Sequence, residues 1–150
     1  MPVACCLMIF GCRQLEVFEK NTTIPNYNWQ SNFTASGAVS ILDTASAYNL
    51  YVVLRHTDAY KYNNIWVQIN VSSQGDTLVN QKLDLSLASD ATGWEGVGMN
   101  DIWEVRKLIT VVPFKFKKKG EYKYNIAQIM RDNPLPNVMS AGIRVEKVKF

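Results

Sequence analysis

The sequence predicts an all-β protein, an antiparallel β-sandwich of jelly-roll type with about eight strands. Three observations predict it. Apolar and polar residues alternate with period two over most of the chain, the pattern of strands half buried against one core. Turn signals recur between these segments, among them Ser73-Gln74-Gly75-Asp76, Gly96-Val97-Gly98, Lys119-Gly120 and Asn133-Pro134-Leu135-Pro136. No long helical periodicity competes with them.

The chain opens on an apolar run, Val3-Ala4-Cys5-Cys6-Leu7-Met8-Ile9-Phe10-Gly11, closed by Cys12, the last cysteine in the sequence. An apolar stretch ending in a small residue and then Cys has the form of a bacterial lipoprotein signal. A peptidase cuts after Gly11, and the sulfur of Cys12 carries the lipid, palmitate being the acyl group to label. A secretory signal starts with basic residues, yet no Lys or Arg precedes Arg13. Residues 1–11 are therefore expected to be the tail of a longer signal peptide. The competing reading makes residues 3–10 a buried first strand, with the cysteines as small hydrophobes. The run is too short to span a bilayer, which takes ~20 residues in a helix.

Residues 12–38 read as a lipid-anchored tether followed by an extended arm, because Asn21-Thr22-Thr23-Ile24-Pro25-Asn26-Tyr27-Asn28 is polar and irregular. Leu15, Val17 and Phe18 can add an edge strand, and Trp29 and Phe33 are apolar enough to pin the arm to the domain. The sandwich is expected over residues 39–150. Its strands are placed at 39–43, 48–57, 65–72, 78–87, 94–97, 102–112, 121–131 and 142–149. Tyr48, Leu50, Val52 and Leu54 set the phase of the second, Ile65, Val67, Ile69 and Val71 that of the third. Leu83, Leu85 and Leu87 do so for the fourth, and Tyr122, Tyr124 and Ile126 for the seventh.

Composition narrows the function. A 150-residue chain with 47% hydrophobic and 19% charged residues holds one domain with a real core. Its net charge of +3, with basic and acidic residues interleaved, does not suggest a nucleic-acid partner. The densest basic run, Lys115-Phe116-Lys117-Lys118-Lys119, reads as a solvated hairpin turn, with contact to anionic lipid head groups as its functional alternative.

Signatures of catalysis are missing, and no cofactor or metal is implied. There is no Gly-x-Ser-x-Gly elbow, no phosphate-binding glycine loop and no His-Glu-x-x-His. The single histidine, His56, stands at a strand end and reads as a surface residue. Glu95, Asp101 and Glu104 lie close together in sequence and would have to converge at ~5–9.5 Å to act as a glycosidase pair. The simpler reading gives Asp101 to a glycine-rich connection and Glu104 to a solvent-facing strand position, so the protein is expected not to be an enzyme. Trp66, Tyr60 and Tyr62 form the other candidate, a set of rings for stacking on a glycan or contacting a partner. The alternative is that these rings pack beneath loops.

Several segments then resemble one family. Tyr48-Asn49-Leu50 through Leu54-Arg55-His56, followed by Tyr60-Lys61-Tyr62-Asn63-Asn64-Ile65-Trp66, is similar to a strand pair of the gliding-motility-associated lipoproteins known as GldH. Gly93-Trp94-Glu95-Gly96-Val97-Gly98 with Asp101-Ile102, Gly120-Glu121-Tyr122 with Gln128-Ile129-Met130-Arg131, and Gly142-Ile143-Arg144-Val145-Glu146 resemble three further blocks in the same order. The resemblance implies a lipid-anchored envelope protein of Bacteroidota, docked to proteins of the gliding and secretion apparatus. It carries no catalytic residues. A glycan-binding sandwich is the alternative function. Lipoproteins of this lineage reach the surface when acids follow the cysteine, and here Arg13-Gln14-Leu15-Glu16 holds one acid, which favours the periplasmic face of the outer membrane. The resemblance also implies Thr44 and Thr77, in Asp43-Thr44-Ala45 and Asp76-Thr77-Leu78, as O-glycan acceptors, although Asp-Thr is equally turn chemistry.

Overall fold

The computed structural model describes residues 17–149. Its strands are β1 (Val17–Thr23), β2 (Asn28–Trp29), β3 (Ala35–Ile41), β4 (Tyr48–Thr57), β5 (Asn64–Ser73), β6 (Asp76–Ser86), β7 (Ala88–Ser89), β8 (Gly93–Trp94), β9 (Val97–Met99), β10 (Ile102–Leu108), β11 (Gly120–Gln128), β12 (Leu135–Pro136) and β13 (Val138–Lys147). A five-stranded sheet runs β1-β13-β4-β10-β9 and a four-stranded sheet runs β3-β11-β5-β6, with two small ribbons, β12-β2 and β7-β8, beside them. All pairings are antiparallel.

Eight strands have seven residues or more: β1, β3, β4, β5, β6, β10, β11 and β13. In chain order the first of these pairs with the last, the second with the seventh, the third with the sixth and the fourth with the fifth. That nesting is what a long antiparallel ribbon makes when it wraps around one core, so the sandwich is a jelly roll, as the sequence predicts. Counting the short strands brings the total among the described residues to thirteen.

The core lies between the sheets. Leu50, Val52 and Leu54 of β4 and Ile143 and Val145 of β13 face Ile65, Val67 and Ile69 of β5 and Tyr124 and Ile126 of β11, all almost fully buried. Alternation is why these residues meet, since successive side chains leave opposite faces of a strand. Fully burying a side chain of this size contributes ~1.5–3 kcal/mol, so the two facing rows dominate the favourable side of folding.

Several strand expectations need correction, among them the end of β10 at Leu108 rather than at 112 and the start of β13 at Val138 rather than at 142. The edge strand expected at Val17 and Phe18 is present as β1 but runs on to Thr23, through the segment expected as an irregular arm, and β3 begins at Ala35 rather than at 39. Residues 94–97 do not form one strand, because Gly96 stands at φ +89 and separates β8 from β9. The connection from β10 to β11, which contains the lysine run, is not a hairpin turn, because the two strands belong to different sheets.

The register defines two ends. Val17, Asn49 and Glu146 share one row, and Phe114 forms a two-way backbone bridge with Tyr48, so the start of the described chain and the β10–β11 loop lie at the same end. We call it the tether end, after the tether that the sequence leads one to expect before Val17. The opposite, hairpin end carries the β9–β10 turn at Asn100-Asp101, level with Thr57. Both turn residues have positive φ, 49 and 65, the conformation that a two-residue hairpin of this twist requires and that Asn and Asp tolerate.

Candidate functional site: the outer face of the five-stranded sheet

The side of the five-stranded sheet away from the core carries an alternating row of charges. Arg144 Nε donates to Glu146 Oε2 at 3.2 Å, and Arg144 Nη1 lies 3.5 Å from Glu19 Oε1. Glu19 Oε1 lies 3.6 Å from Arg106 Nε, Arg106 Nη2 lies 3.1 Å from Glu104 Oε1, and Arg55 Nε donates to Glu104 Oε2 at 2.7 Å. Three arginines and three glutamates from β1, β13, β4 and β10 thus neutralise one another across the sheet.

Small residues make this possible. Glu19 and Arg106 reach each other over β13 and β4, where the row between Asn21 and Arg106 is Gly142 and Val53. Gly142 has no side chain to obstruct them, and a Cβ there would collide with the backbone carbonyl of Lys20 on β1. Val53 is wholly buried although it faces away from the core, because the long charged side chains cover it.

Past the end of this row the surface turns apolar. Val97 and Met99, on the edge strand β9, are 76% and 74% exposed, and Ile102 beside them is 37% exposed. With Arg55, Glu104 and Arg106 they line an open cleft of about 570 Å³. The hairpin is held rigidly, since the Asp58 amide donates to the Asp101 carbonyl at 2.9 Å and β10 pairs with β4 along its length.

The sequence-derived candidates fall in different places. Tyr60 is buried, its hydroxyl donating to the Asn64 carbonyl at 2.9 Å, and that burial pushes its phenol pKa up, with Tyr62 and Asp132 adding to the shift. It offers no ring face to a ligand. Tyr62 is half buried and donates to Asp132 Oδ2 at 2.9 Å. Of the three rings only Trp66 presents a large exposed surface, beside Ile129, so the expected platform does not assemble. His56 is buried rather than at the surface, with its ring centroid 4.6 Å from Trp94 and 5.5 Å from Tyr60. Desolvation pushes its pKa down, partly opposed by the bond of Nδ1 to the Thr57 carbonyl, and Nε2 has no hydrogen-bond partner among the described residues.

Nor do the three carboxylates converge. Glu104 and Arg106 occupy the outer face, whereas Val105 and Lys107 alternate to the other side, where Lys107 holds Glu95. Lys107 first, and Ser86 second, keep the Glu95 carboxyl below the ordinary range. Asp101 sits in the hairpin turn. Asp43 is likewise committed locally: it accepts from the Ala45 and Ser46 amides, the Ser46 hydroxyl and Lys147, which together hold its pKa far below the usual carboxylate value. Thr44 is half buried beside it, and Thr77 is exposed near the start of β6. Cys12 and Leu15 lie outside the described residues.

The profile of the family described as GldH lipoprotein matches residues 16–145, nearly all of the described sandwich. The chain belongs to the GldH lipoprotein family. It is 26% identical over 148 residues to the gliding motility lipoprotein GldH of Flavobacterium johnsoniae, covering 94% of this chain and 91% of that one. Among solved structures it is similar to the infectious bursal disease virus VP2 subviral particle at a TM-score of 0.39 and 13% identity, over 88% of this chain and 32% of that chain. That similarity is too distant to bear on function. Within the GldH match, the block around Gly93–Gly98 supplies β8 and the start of β9, and the block around Gly142 supplies the strand that carries Arg144 and Glu146.

The ion-pair row and the apolar edge escaped sequence reasoning. Glu19 and Arg106 stand on strands that become neighbours in space only through two intervening strands, so sequence spacing carries no signal of their pairing. For His56 a signal existed: it continues the core-facing phase of Leu50, Val52 and Leu54.

Proposed function

We propose that this GldH-family chain is a lipid-anchored accessory protein of the cell envelope that acts by docking a protein of the gliding and associated secretion apparatus. Lipid on Cys12 holds it to the outer membrane, on the periplasmic face. The docking surface is the β9–β10 edge of the five-stranded sheet. One observation carries this reading: Val97, Met99 and Ile102 stand exposed on a rigid hairpin beside charges that already neutralise one another. Apolar residues ringed by satisfied polar groups are the anatomy of a protein interface core and rim. The edge of β9, unpaired among the described residues, can also accept a partner strand, and its three-residue length keeps it from pairing indiscriminately.

In-cell photo-crosslinking tests the reading. A photoreactive amino acid at Met99 should give a discrete adduct with an envelope protein of the apparatus, while the same group at Lys82, on the outer face of the four-stranded sheet, should not. Equal labelling from both positions, or none from Met99, contradicts the docking surface. Palmitate labelling of wild type against Cys12→Ala tests the anchor separately. Equal, negligible labelling of the two refutes it.

A further inference from the structure

The β10–β11 loop, residues 109–119, does not behave as a solvated turn. Val111 and Val112 are 99% and 69% exposed at its tip, followed by Pro113. The loop is nevertheless fixed. Phe114 is bridged to Tyr48 by backbone bonds of 2.8 and 3.0 Å, and Phe116, nearly buried, packs edge-on against Phe114, Tyr48 and Tyr122 with centroids 4.9, 5.2 and 4.7 Å away. Two aromatic anchors therefore hold two valines out in water.

Charge surrounds them. Lys115, Lys117, Lys118 and Lys119 are all exposed, and none forms an ion pair with any of the described residues. This contrasts with Arg55, Arg106, Lys107, Arg144 and Lys147, each of which is paired. The loop holds no acid, and Glu121 is the first to follow it. Of the acids near this end, Asp43 and Glu146 are already engaged by Lys147 and Arg144, and Glu121 at the start of β11 and Asp76 at the start of β6 are too few to balance the four lysines. Leu42, in the connection to β4 at the same end, adds another large apolar side chain at 73% exposure.

Position supplies the occupant. Val17, where the described chain begins, lies at this end, and Cys12 is five residues before it. A chain reaches at most ~3.3–3.6 Å per residue, so the acylated residue is within about 18 Å of the first row of the sandwich. We infer that the tether end is a membrane-contact surface: Val111 and Val112 enter the interface of an anionic bilayer while Lys115, Lys117, Lys118 and Lys119 meet its head groups. A lysine near an anionic surface changes partitioning about fivefold, so removing four is expected to cost on the order of a hundredfold or more. The orientation rests on the lipidated Cys12 of the proposed function, but the loop's own affinity does not.

Sedimentation with vesicles separates the two. The full chain bearing Cys12→Ala is mixed with phosphatidylcholine vesicles, with and without phosphatidylglycerol, so that neither acyl chain nor protein partner is present. It should prefer the anionic vesicles. Lys115→Ser, Lys117→Ser, Lys118→Ser and Lys119→Ser together should abolish that preference, and Val111→Asp with Val112→Asp should weaken binding to both vesicles. Lys82→Ser should change neither. Retention of the anionic preference in the lysine variant overturns the inference, because another segment then carries it. So does a lysine variant that binds vesicles normally yet loses a crosslink to an envelope protein, which would make the loop a protein dock. The lysine variant alters only exposed groups, so its unfolding temperature should match the parent and the test stands even where the valine variant misfolds.

Discussion

The two ends of the sandwich both expose apolar side chains, yet they set them among charges of opposite character. At the tether end Val111 and Val112 stand beside four lysines without ion-pair partners among the described residues. At the hairpin end Val97, Met99 and Ile102 stand beside Arg55, Arg106 and Glu104, which satisfy one another. The difference teaches what an exposed apolar group is for. Uncompensated cations around it match a surface of many anions, as lipid head groups present, while compensated charges leave a neutral rim suited to a protein.

The ends also differ in what holds them, and substitution should expose this. The largest effect is expected at the tether end. Phe116→Ala removes a nearly buried ring from the stack with Phe114, Tyr48 and Tyr122, and should cost ~3–5 kcal/mol in denaturant unfolding. It should also release the loop, seen as faster amide exchange at Phe114. A loss under ~1 kcal/mol would mean the loop is not pinned by that ring.

Next comes Gly96→Ala at the hairpin end. Gly96 holds φ +89, and a Cβ there meets the Glu104 carbonyl, so the substitution should cost at least ~1–3 kcal/mol and pull β9 off β10 while the tether end keeps its exchange protection. Loss of protection at both ends together would break the comparison, because the hairpin would then not be a separate unit.

Acid should open the ends in order. Burial depresses the pKa of His56, so its stabilising neutral form is fully present above the ordinary value of 6.5 and is lost as pH falls from there through the folded value. Each unit of depression is worth ~1.4 kcal/mol. The Asp43 clip at the tether end also has a depressed pKa, but its contribution is present above 3.8 and is lost only as pH falls below that. Amides near His56 and Trp94 should therefore lose protection first as pH falls below 6.5, while those at Ala45 and Ser46 hold until pH falls below 3.8. His56→Phe should flatten that part of the profile.

The smallest effect is expected from Arg106→Ala. Its pairs with Glu19 and Glu104 are half exposed, and such pairs contribute ~0–1 kcal/mol each. Stability should barely move while the crosslink from Met99 weakens, since the rim of the cleft loses its charge balance.

Much of the jelly roll was legible in the chain, and the reason is periodicity. β5 and β11 carry unbroken alternation, and β4 carries it except at Val53, because each is flanked by strands on both sides and buries one full face. β1 was legible only as far as Val17 and Phe18. As an edge strand it buries little, so Glu19-Lys20-Asn21-Thr22-Thr23 shows no apolar phase, and its pairing with β13 is fixed by the close approach at Gly142 instead. The candidate site was less legible still. Tyr60 looked available because it lies in a loop, but that loop folds under to satisfy the Asn64 carbonyl. Met99 and Val97 flank Gly98, and nothing local marks that strand as an edge with one side open.

Depth measurement tests the two-ended account most directly. A fluorescent amino acid is placed at Val111 or at Met99 in the full, acylated chain, reconstituted in vesicles whose lipids carry a shallow quencher. The account predicts strong quenching at Val111 and little at Met99. Equal quenching at the two positions, or quenching at Met99 alone, would contradict it.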